Sequence, residues 1–530
     1  MRNIFWNAIF LLLLSLPNIY AYYIDPTTKR FLGFLVALLF LIGLSRLIHS
    51  KKLRLLVFVP LFFLSYLNLG FEFQYNEKPS IGLVSALVES DAREGLEFVT
   101  NAPKLLVYTV AFYILVFFLL LFFARISKQN KKRFGFLITA LLIALPLADL
   151  FGKGSSTEAF PLSNIYTLYS YQKEATVLEA LLKKREGFKF NVEKVSERDL
   201  NVILVLGESS RRDTYSVYGY PESTTPNLSQ LDSLVVFDDA VSPSNATIPS
   251  LKYMLYLATV GDDSQYYSTK SIVTLAKEAQ YKTAWLSSQA RFGRYDTANS
   301  SIALEADNNV FINANGSIDP VFDEALLPHL QQRLKENQQG NFIVMHLYGS
   351  HFSYVRRYPK TFEKFKGVPT GYAGKSSDLQ QDVNHYLNSI AYTDHILSEI
   401  IKQAKSTHAP SCVVYIADHG EYLGEKEGDD FTGHGYPVPR KGEVEVPLLT
   451  WCSKEYQEIY PKKWQQLLAN KKLKISAEDL FYSVADLMNI DYGLKQKERS
   501  FFAEAYQSKA PRKIISSANH KIFNYQEIKK

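Results

Sequence analysis

Two apolar runs of strand length end in residues that bind metal ions. Val413 to Ile416 leads through Ala417 into Asp418-His419-Gly420, and Asn201 to Leu206 (NVILVL) leads through Gly207 into Glu208-Ser209-Ser210-Arg211. A side chain at the close of a strand is held rigidly, and open α/β sheets bind ligands beyond the carboxyl ends of their strands. Glu208, Asp418 and His419 offer hard oxygen and imidazole nitrogen, a mixture that suits zinc, and Gly420 allows a sharp turn beside them. A third segment, Val241 to Leu255 (VSPSNATIPSLKYML), carries hydroxyls at Ser242, Ser244, Thr247 and Ser250 where a loop enters a helix. Amides at such a helix start suit a phosphate, and a bound divalent metal ionises an alcohol that is otherwise a poor nucleophile. Spacing alone leaves the choice of hydroxyl open and gives Thr247 first the part of a helix cap.

The elements that must position these residues follow from pattern. Beyond Val195, further apolar runs at Thr283 to Leu286, Phe342 to His346 and Val446 to Trp451 alternate with helical stretches at Asp323 to Glu336 and Asp382 to Ala404. Runs of this kind are strands buried on both faces, so a mostly parallel sheet covered by helices is expected. The basic segment Pro511 to Lys530 carries no recognisable chemistry and reads as a charged tail.

The N-terminal part has a different character. Apolar segments at about Ile4 to Ile24, Phe31 to Ile48, Leu53 to Phe71, Leu105 to Phe123 and Phe134 to Phe151 are each near the ~20 residues that a bilayer core requires of a helix. Arg46, Lys51, Lys52 and Arg54 lie between the second and third, and Arg125, Lys128, Lys131, Lys132 and Arg133 between the fourth and fifth, which places both loops in the cytoplasm. The expected organisation is five transmembrane helices over residues 1–152 with an outer loop at 72–104, a bridging amphipathic helix or linker at 153–194, and an outer domain at 195–530. Within the loop, Lys78 to Ala102 has the spacing of an amphipathic helix. A cleavable signal peptide in place of the first span fits poorly, because Ile19 and Tyr20 precede Ala21. The net charge of +6 lies mostly beside the spans, and no recognition motif for nucleic acid accompanies it. The two cysteines exclude a disulfide scaffold. Cys412 opens one strand and Cys452 closes another; as antiparallel neighbours they could bridge in an oxidising compartment, and otherwise they are two buried thiols.

In these blocks the chain resembles the membrane-anchored phosphoethanolamine transferases of lipid A and lipopolysaccharide core, a branch of the alkaline phosphatase and sulfatase superfamily. The resemblance covers nearly the whole chain. Its carriers are LVLGESSRRD around Glu208, Thr247-Ile248-Pro249-Ser250-Leu251 with Met254, HLYGSH with His346 and His351, AYTD ending at Asp394, ADHGEYLGE, and Gly433-His434-Gly435 before Val446-Pro447-Leu448. It implies an α/β sandwich of alkaline phosphatase type, zinc on Glu208, Thr247, Asp418 and His419, and Thr247 as covalent carrier of the transferred group. Thr247 is preferred to Ser244 because Ser250-Leu251 and Met254 then keep the family spacing. It further implies that His351 and His434 contact the phosphoryl group, that Arg291 or Arg294 provides a basic substrate contact, and that Glu94 matches an acidic loop position.

The implied reaction takes phosphoethanolamine from phosphatidylethanolamine to a phosphate or hydroxyl of lipid A or a core sugar, by a monomer of the bacterial inner membrane with a periplasmic catalytic domain. The added amine would weaken attraction of cationic peptides such as polymyxin. Two alternatives are a phosphoglycerol transferase using phosphatidylglycerol and often manganese, and a metal-free lipopolysaccharide-binding regulator. A sulfatase activity is disfavoured, since no Cys/Ser-x-Pro-x-Arg motif surrounds Thr247. Relatives carry several disulfides in this domain, whereas here at most one can form.

Overall fold

Residues that are leucine or phenylalanine on nearly every side make helices that cannot be content in water. The computed structural model describes residues 10–24, 26–48, 50–75, 112, 115, 133–185, 187–194, 200–289, 302–312, 321–336, 340–429, 432–507 and 511–529. These divide into an N-terminal unit that ends at Val177 and a second unit that runs from Leu178. The first unit holds helices α1 (Leu16–Ile24), α2 (Thr28–Leu47), α3 (Lys51–Tyr75) and α4 (Arg133–Phe151), and α5 (Leu162–Lys184) begins in it. By length and composition Thr28–Leu47 and Lys52–Leu69 suffice to cross a bilayer, and Gly135–Phe151 is a shorter apolar stretch. Large side chains such as Leu56, Phe136 and Leu145 are exposed on them. Gly43 of α2 lets α4 approach at Leu142 and Ile143, and Arg46 Nε donates to Thr139 Oγ1 at 3.3 Å. The expected fourth span and the helix at Lys78 to Ala102 lie outside the described residues, apart from Phe112 and Leu115 of that span.

The second unit is built on a sheet. Its strands are β1 (Glu193–Lys194), β2 (Asn201–Gly207), β3 (Leu234–Val236), β4 (Asp239–Val241), β5 (Lys282–Ser287), β6 (Asn308–Phe311), β7 (Asn341–His346), β8 (Ser411–Ala417), β9 (Glu445–Val446), β10 (Leu448–Cys452), β11 (Lys474–Ser476), β12 (Ile490–Asp491), β13 (Lys513–Ile515) and β14 (Ile522–Asn524). The main sheet has the order β3-β10-β8-β2-β7-β5-β6. Strands β8, β2, β7, β5 and β6 are parallel, and β10 runs antiparallel to both its neighbours. Every residue of β2 is buried. Val202, Leu204 and Leu206 join Val344, Val414 and Ile416 in one core, while Ile203 and Val205 join Ile343, Val413 and Tyr415 in the other. Two-sided burial is why these strands read as unbroken apolar runs.

Four elements differ from the sequence reading. Val446 to Trp451 is not one strand: β9 pairs with β4 in a small sheet and β10 enters the main one, with the change at Pro447, which has no amide to donate. The long helix over the second core, Ser377–Ser406, begins five residues before the expected Asp382, because Ser376 caps the Leu379 amide and the polar first turns carry no apolar period. The terminal segment is folded: β13 and β14 pair, Arg512 Nη1 donates to Asp239 Oδ1 at 2.7 Å, and Ile515 N donates to Pro243 O at 2.9 Å. A paired strand precedes Val195 as well, since β1 is joined to β12.

Candidate metal centre and active site

Register brings the first two acids together. Gly207 pairs with Ala417 across β2 and β8, so Glu208 and Asp418 leave adjacent parallel strands at the same level. Glu208 is 1% exposed, and Asp418 and His419 are fully buried. His419 Nε2 lies 3.2 Å from Glu208 Oε1 and 3.6 Å from Asp418 Oδ2. Two backbone features allow this crowding. Gly349 has φ +52° and faces the Glu208 backbone so closely that a Cβ would stand 2.9 Å from its nitrogen. Gly420, expected as a turn residue, is needed for close approach: a Cβ there would drive into the Gly442 carbonyl.

The four hydroxyls of the next loop are sorted by their partners. Ser242 Oγ donates to the Asp418 carbonyl, Ser244 Oγ donates to Ile515 O at 2.7 Å, and Ser250 Oγ lies 3.0 Å from Ser242 Oγ. Thr247 alone among them faces the acids and the imidazole. It opens helix α6 (Thr247–Leu255) as the first helical residue, behind Ala246 at the cap position, so its hydroxyl is not a cap. Thr247 Oγ1 donates to Glu208 Oε2 at 3.1 Å and lies 3.3 Å from His419 Nε2.

These atoms fit a divalent cation. Bonds of about 2.0 Å in a tetrahedron set ligand atoms roughly 3.3 Å apart, close to the separations above. Among the described residues Asp418 Oδ2 is buried and has no hydrogen-bond partner. His419 Nδ1 is 2.7 Å from Gly420 O, and a carbonyl only accepts, so Nδ1 carries a proton and Nε2 is the ring atom turned toward the carboxylates. Electrostatics agree. Burial and then the Glu208 charge push the Asp418 carboxyl up to about 8. Burial opposes protonation of His419, yet Asp418 and Glu208 raise its imidazole to about 10. A dry pocket with two carboxylates lacks positive charge, and a metal ion supplies it.

A second ring of groups surrounds this centre. The His434 ring stands 4.2 Å from that of His419 and 6.2 Å from that of His351, so the two further histidines share the site. His434 Nδ1 donates to Glu421 Oε2 at 2.7 Å, and His351 Nδ1 donates to Phe352 O at 2.6 Å, so among the described residues neither Nε2 atom is engaged in a hydrogen bond. Burial, then His419, hold the His434 imidazole below its ordinary value. His346 closes β7 in a buried position, with its ring 5.8 Å from that of Trp285. Asp394, quoted in the AYTD block, serves structure: it accepts from the amides of Asn227 and Leu228.

Three residues of this ring escape sequence reading. Ser209 Oγ donates to Glu208 Oε1 at 2.9 Å, Gln289 Nε2 donates to Glu208 Oε2 at 3.0 Å, and Tyr354 hydroxyl donates to Glu421 Oε1 at 2.5 Å. Ser209 also has φ +53°, a strained conformation for a residue other than glycine. Gln289 carried a signal, since it follows β5 at the same edge of the sheet; Tyr354 carried none. Arg291, Arg294 and Glu94 lie outside the described residues.

A parallel sheet whose strand ends gather two carboxylates, an imidazole and an alcohol suits the chemistry of phosphate and sulfate esters, and the chain belongs to the sulfatase family, which it matches over residues 200–490. Within that family it falls among the phosphoethanolamine transferases. It is similar to phosphoethanolamine transferase EptC of Escherichia coli (strain K12), at 26% identity over 448 residues that cover 79% of this chain and 76% of the relative. The crystal structure of the C-terminal periplasmic domain of Escherichia coli EptC in complex with zinc superposes with a TM-score of 0.60 at 26% identity, covering 64% of this chain and 95% of that one. The integral membrane lipooligosaccharide phosphoethanolamine transferase EptA of Neisseria meningitidis superposes with a TM-score of 0.71 over 94% of this chain and 97% of its own. At 19% identity that likeness concerns the fold alone.

Proposed function

We propose that the protein is anchored in the bacterial inner membrane, with its catalytic domain in the periplasm, and moves phosphoethanolamine from phosphatidylethanolamine to a lipid A or lipopolysaccharide core sugar. One observation carries the reading: of four hydroxyls on the loop, Thr247 alone meets Glu208 and His419, beside a carboxylate oxygen of Asp418 that no described residue satisfies. Glu208, Thr247, Asp418 and His419 would hold zinc. When bound, zinc supplies the Lewis acidity that lowers the pKa of an alcohol and offsets charge on phosphoryl oxygens.

The chain's own residues do the rest. Glu208 and His419 orient the Thr247 oxygen toward the incoming phosphorus. As that oxygen bonds to phosphorus its proton passes to Glu208, which already accepts from it, the ester bond to diacylglycerol breaks, and His351 or His434, once protonated at Nε2, gives a proton to the departing oxygen. A glycolipid hydroxyl or phosphate then attacks the phosphoethanolamine on Thr247, returning the threonine. Glu421 keeps His434 in the useful tautomer, and Ser209 and Gln289 fix Glu208. Exposed apolar side chains on α2, α3 and α4 support an anchor that lies in a membrane.

The test is mass spectrometry of lipid A and core oligosaccharide from cells with and without the gene, paired with membranes given headgroup-labelled phosphatidylethanolamine or glycerol-labelled phosphatidylglycerol. Added phosphoethanolamine on the glycolipid, with label drawn from the ethanolamine lipid, is expected. Label drawn from phosphatidylglycerol would replace this reading with phosphoglycerol transfer, and no transfer from either would favour a binding protein.

A further inference from the structure

The pairing of β8 with β10 sets Cys412 directly opposite Cys452, both fully buried. Ser453 N donates to Ser411 O at 2.8 Å, so the adjoining 411–453 pair is hydrogen-bonded. Hydrogen-bonded and non-hydrogen-bonded pairs alternate along an antiparallel ladder, which makes 412–452 the closer, non-hydrogen-bonded kind with Cα atoms about 4.5 Å apart. That spacing falls within the range a disulfide spans. Their sulfurs lie 2.6 Å apart, and the sequence has no other cysteine with which either could pair.

We propose that Cys412 and Cys452 close a cross-strand disulfide as the domain folds, tying together the ends of the segment that bears Asp418, His419, Glu421 and His434. The inference rests on the reading that this domain faces an oxidising compartment. Chemically, one cysteine thiolate attacks the disulfide of a thiol oxidant and forms a mixed disulfide. The second cysteine displaces the oxidant's sulfur, so the protein loses two electrons and two protons while the oxidant leaves as a dithiol. Burial, then the adjacent Cys452, push the Cys412 thiol well up, so the folded core offers little thiolate; exchange therefore precedes the seating of β10. The bond would sit at the end of β8 remote from Asp418, roughly 20 Å away at ~3.3 Å per residue, outside the reach of the chemistry.

The experiment uses the full chain in its host membrane. Cells are quenched in acid, the protein is denatured without reductant, and free thiols are counted with a mass-tagged maleimide. No tag without reductant, two tags after reduction, and a nonreduced peptide joining Cys412 to Cys452 are expected. Two tags without reductant would overturn the disulfide. Protease added to spheroplasts in parallel separates the causes: a digested domain with free thiols means the bond fails although the location holds, and a protected domain with free thiols removes both. For the oxidised protein, reductant should lower Tm, with no such response in a Cys412→Ala, Cys452→Ala double variant that transfers at the wild-type rate. A Tm that ignores reductant in the wild type would also overturn the proposal.

Discussion

Thr247 draws its position from two residues that do no chemistry. Ala246 cannot cap the helix, and Pro249 has no amide to be capped, so the first turn of α6 makes no claim on the threonine hydroxyl. Thr247→Ala should therefore fold and keep most of its zinc through Glu208, Asp418 and His419, while transfer falls by about 10³-fold or more, as expected when a nucleophile is removed. Thr247→Ser should retain measurable transfer because the oxygen remains. Quantifying labelled phosphoethanolamine on the glycolipid checks both, and an alanine variant with near wild-type turnover would reject the nucleophile. Asp418→Asn tests the metal. It replaces an unsatisfied carboxylate oxygen with a neutral amide, so zinc affinity should drop by more than about 100-fold, read by competition with a chelator. Glu208, Asp418 and His419 were legible because each follows an unbroken apolar run. Thr247 became distinct from Ser242, Ser244 and Ser250 only once their partners in three dimensions were known, or by resemblance.

At the scale of elements, the parallel strands were legible because burial on both faces leaves one unambiguous pattern. What pattern could not show is where a strand changes sheet, as at Pro447, or how a basic terminal segment pairs with itself as β13 and β14. Those depend on partners distant in sequence, such as Asp239 for Arg512. Strand β7 carries a consequence of its own, since it ends at a histidine inside the core. Burial, opposed only by the Glu208 charge, pushes the His346 imidazole from 6.5 down to about 4. A depressed folded pKa contributes stability that is whole above pH ~6.5 and is lost as pH falls through ~4, since the unfolded chain takes the proton first. The loss is about 3 kcal/mol at 1.36 kcal/mol per unit. Glu443 works oppositely: burial raises its carboxyl from 4.5 to about 7, so its contribution is full below ~4.5 and gone above ~7. The His346 share is thus a difference, measured as urea unfolding of wild type and His346→Gln from pH 7 to pH 4. The two curves should converge by about 3 kcal/mol toward low pH. Parallel curves would mean that His346 takes no part in acid destabilisation.

On the scale of the whole molecule, the division at Val177 separates two different solvents. Unit one exposes leucine and phenylalanine on its helices, whereas the second unit has its own cores on both faces of one sheet. Among the described residues the metal centre is built wholly after Leu178: Glu208, Thr247, Asp418, His419, His351 and His434 all lie in the second unit. A fragment of Leu178–Lys530 should accordingly fold, bind zinc as the intact chain does, and show the same acid profile. What it should lose is access to two substrates that are both lipids. Residence at the bilayer surface holds donor and acceptor at an effective concentration that a freely diffusing domain cannot match. On vesicles holding phosphatidylethanolamine and lipid A, transfer by the fragment should fall by about 100-fold or more relative to the full chain. With a short-chain donor and acceptor below their micellar concentrations, the two proteins should differ far less. Equal rates on vesicles would show that the helical unit does not serve substrate access, and a fragment that fails to bind zinc would show that the metal centre depends on it.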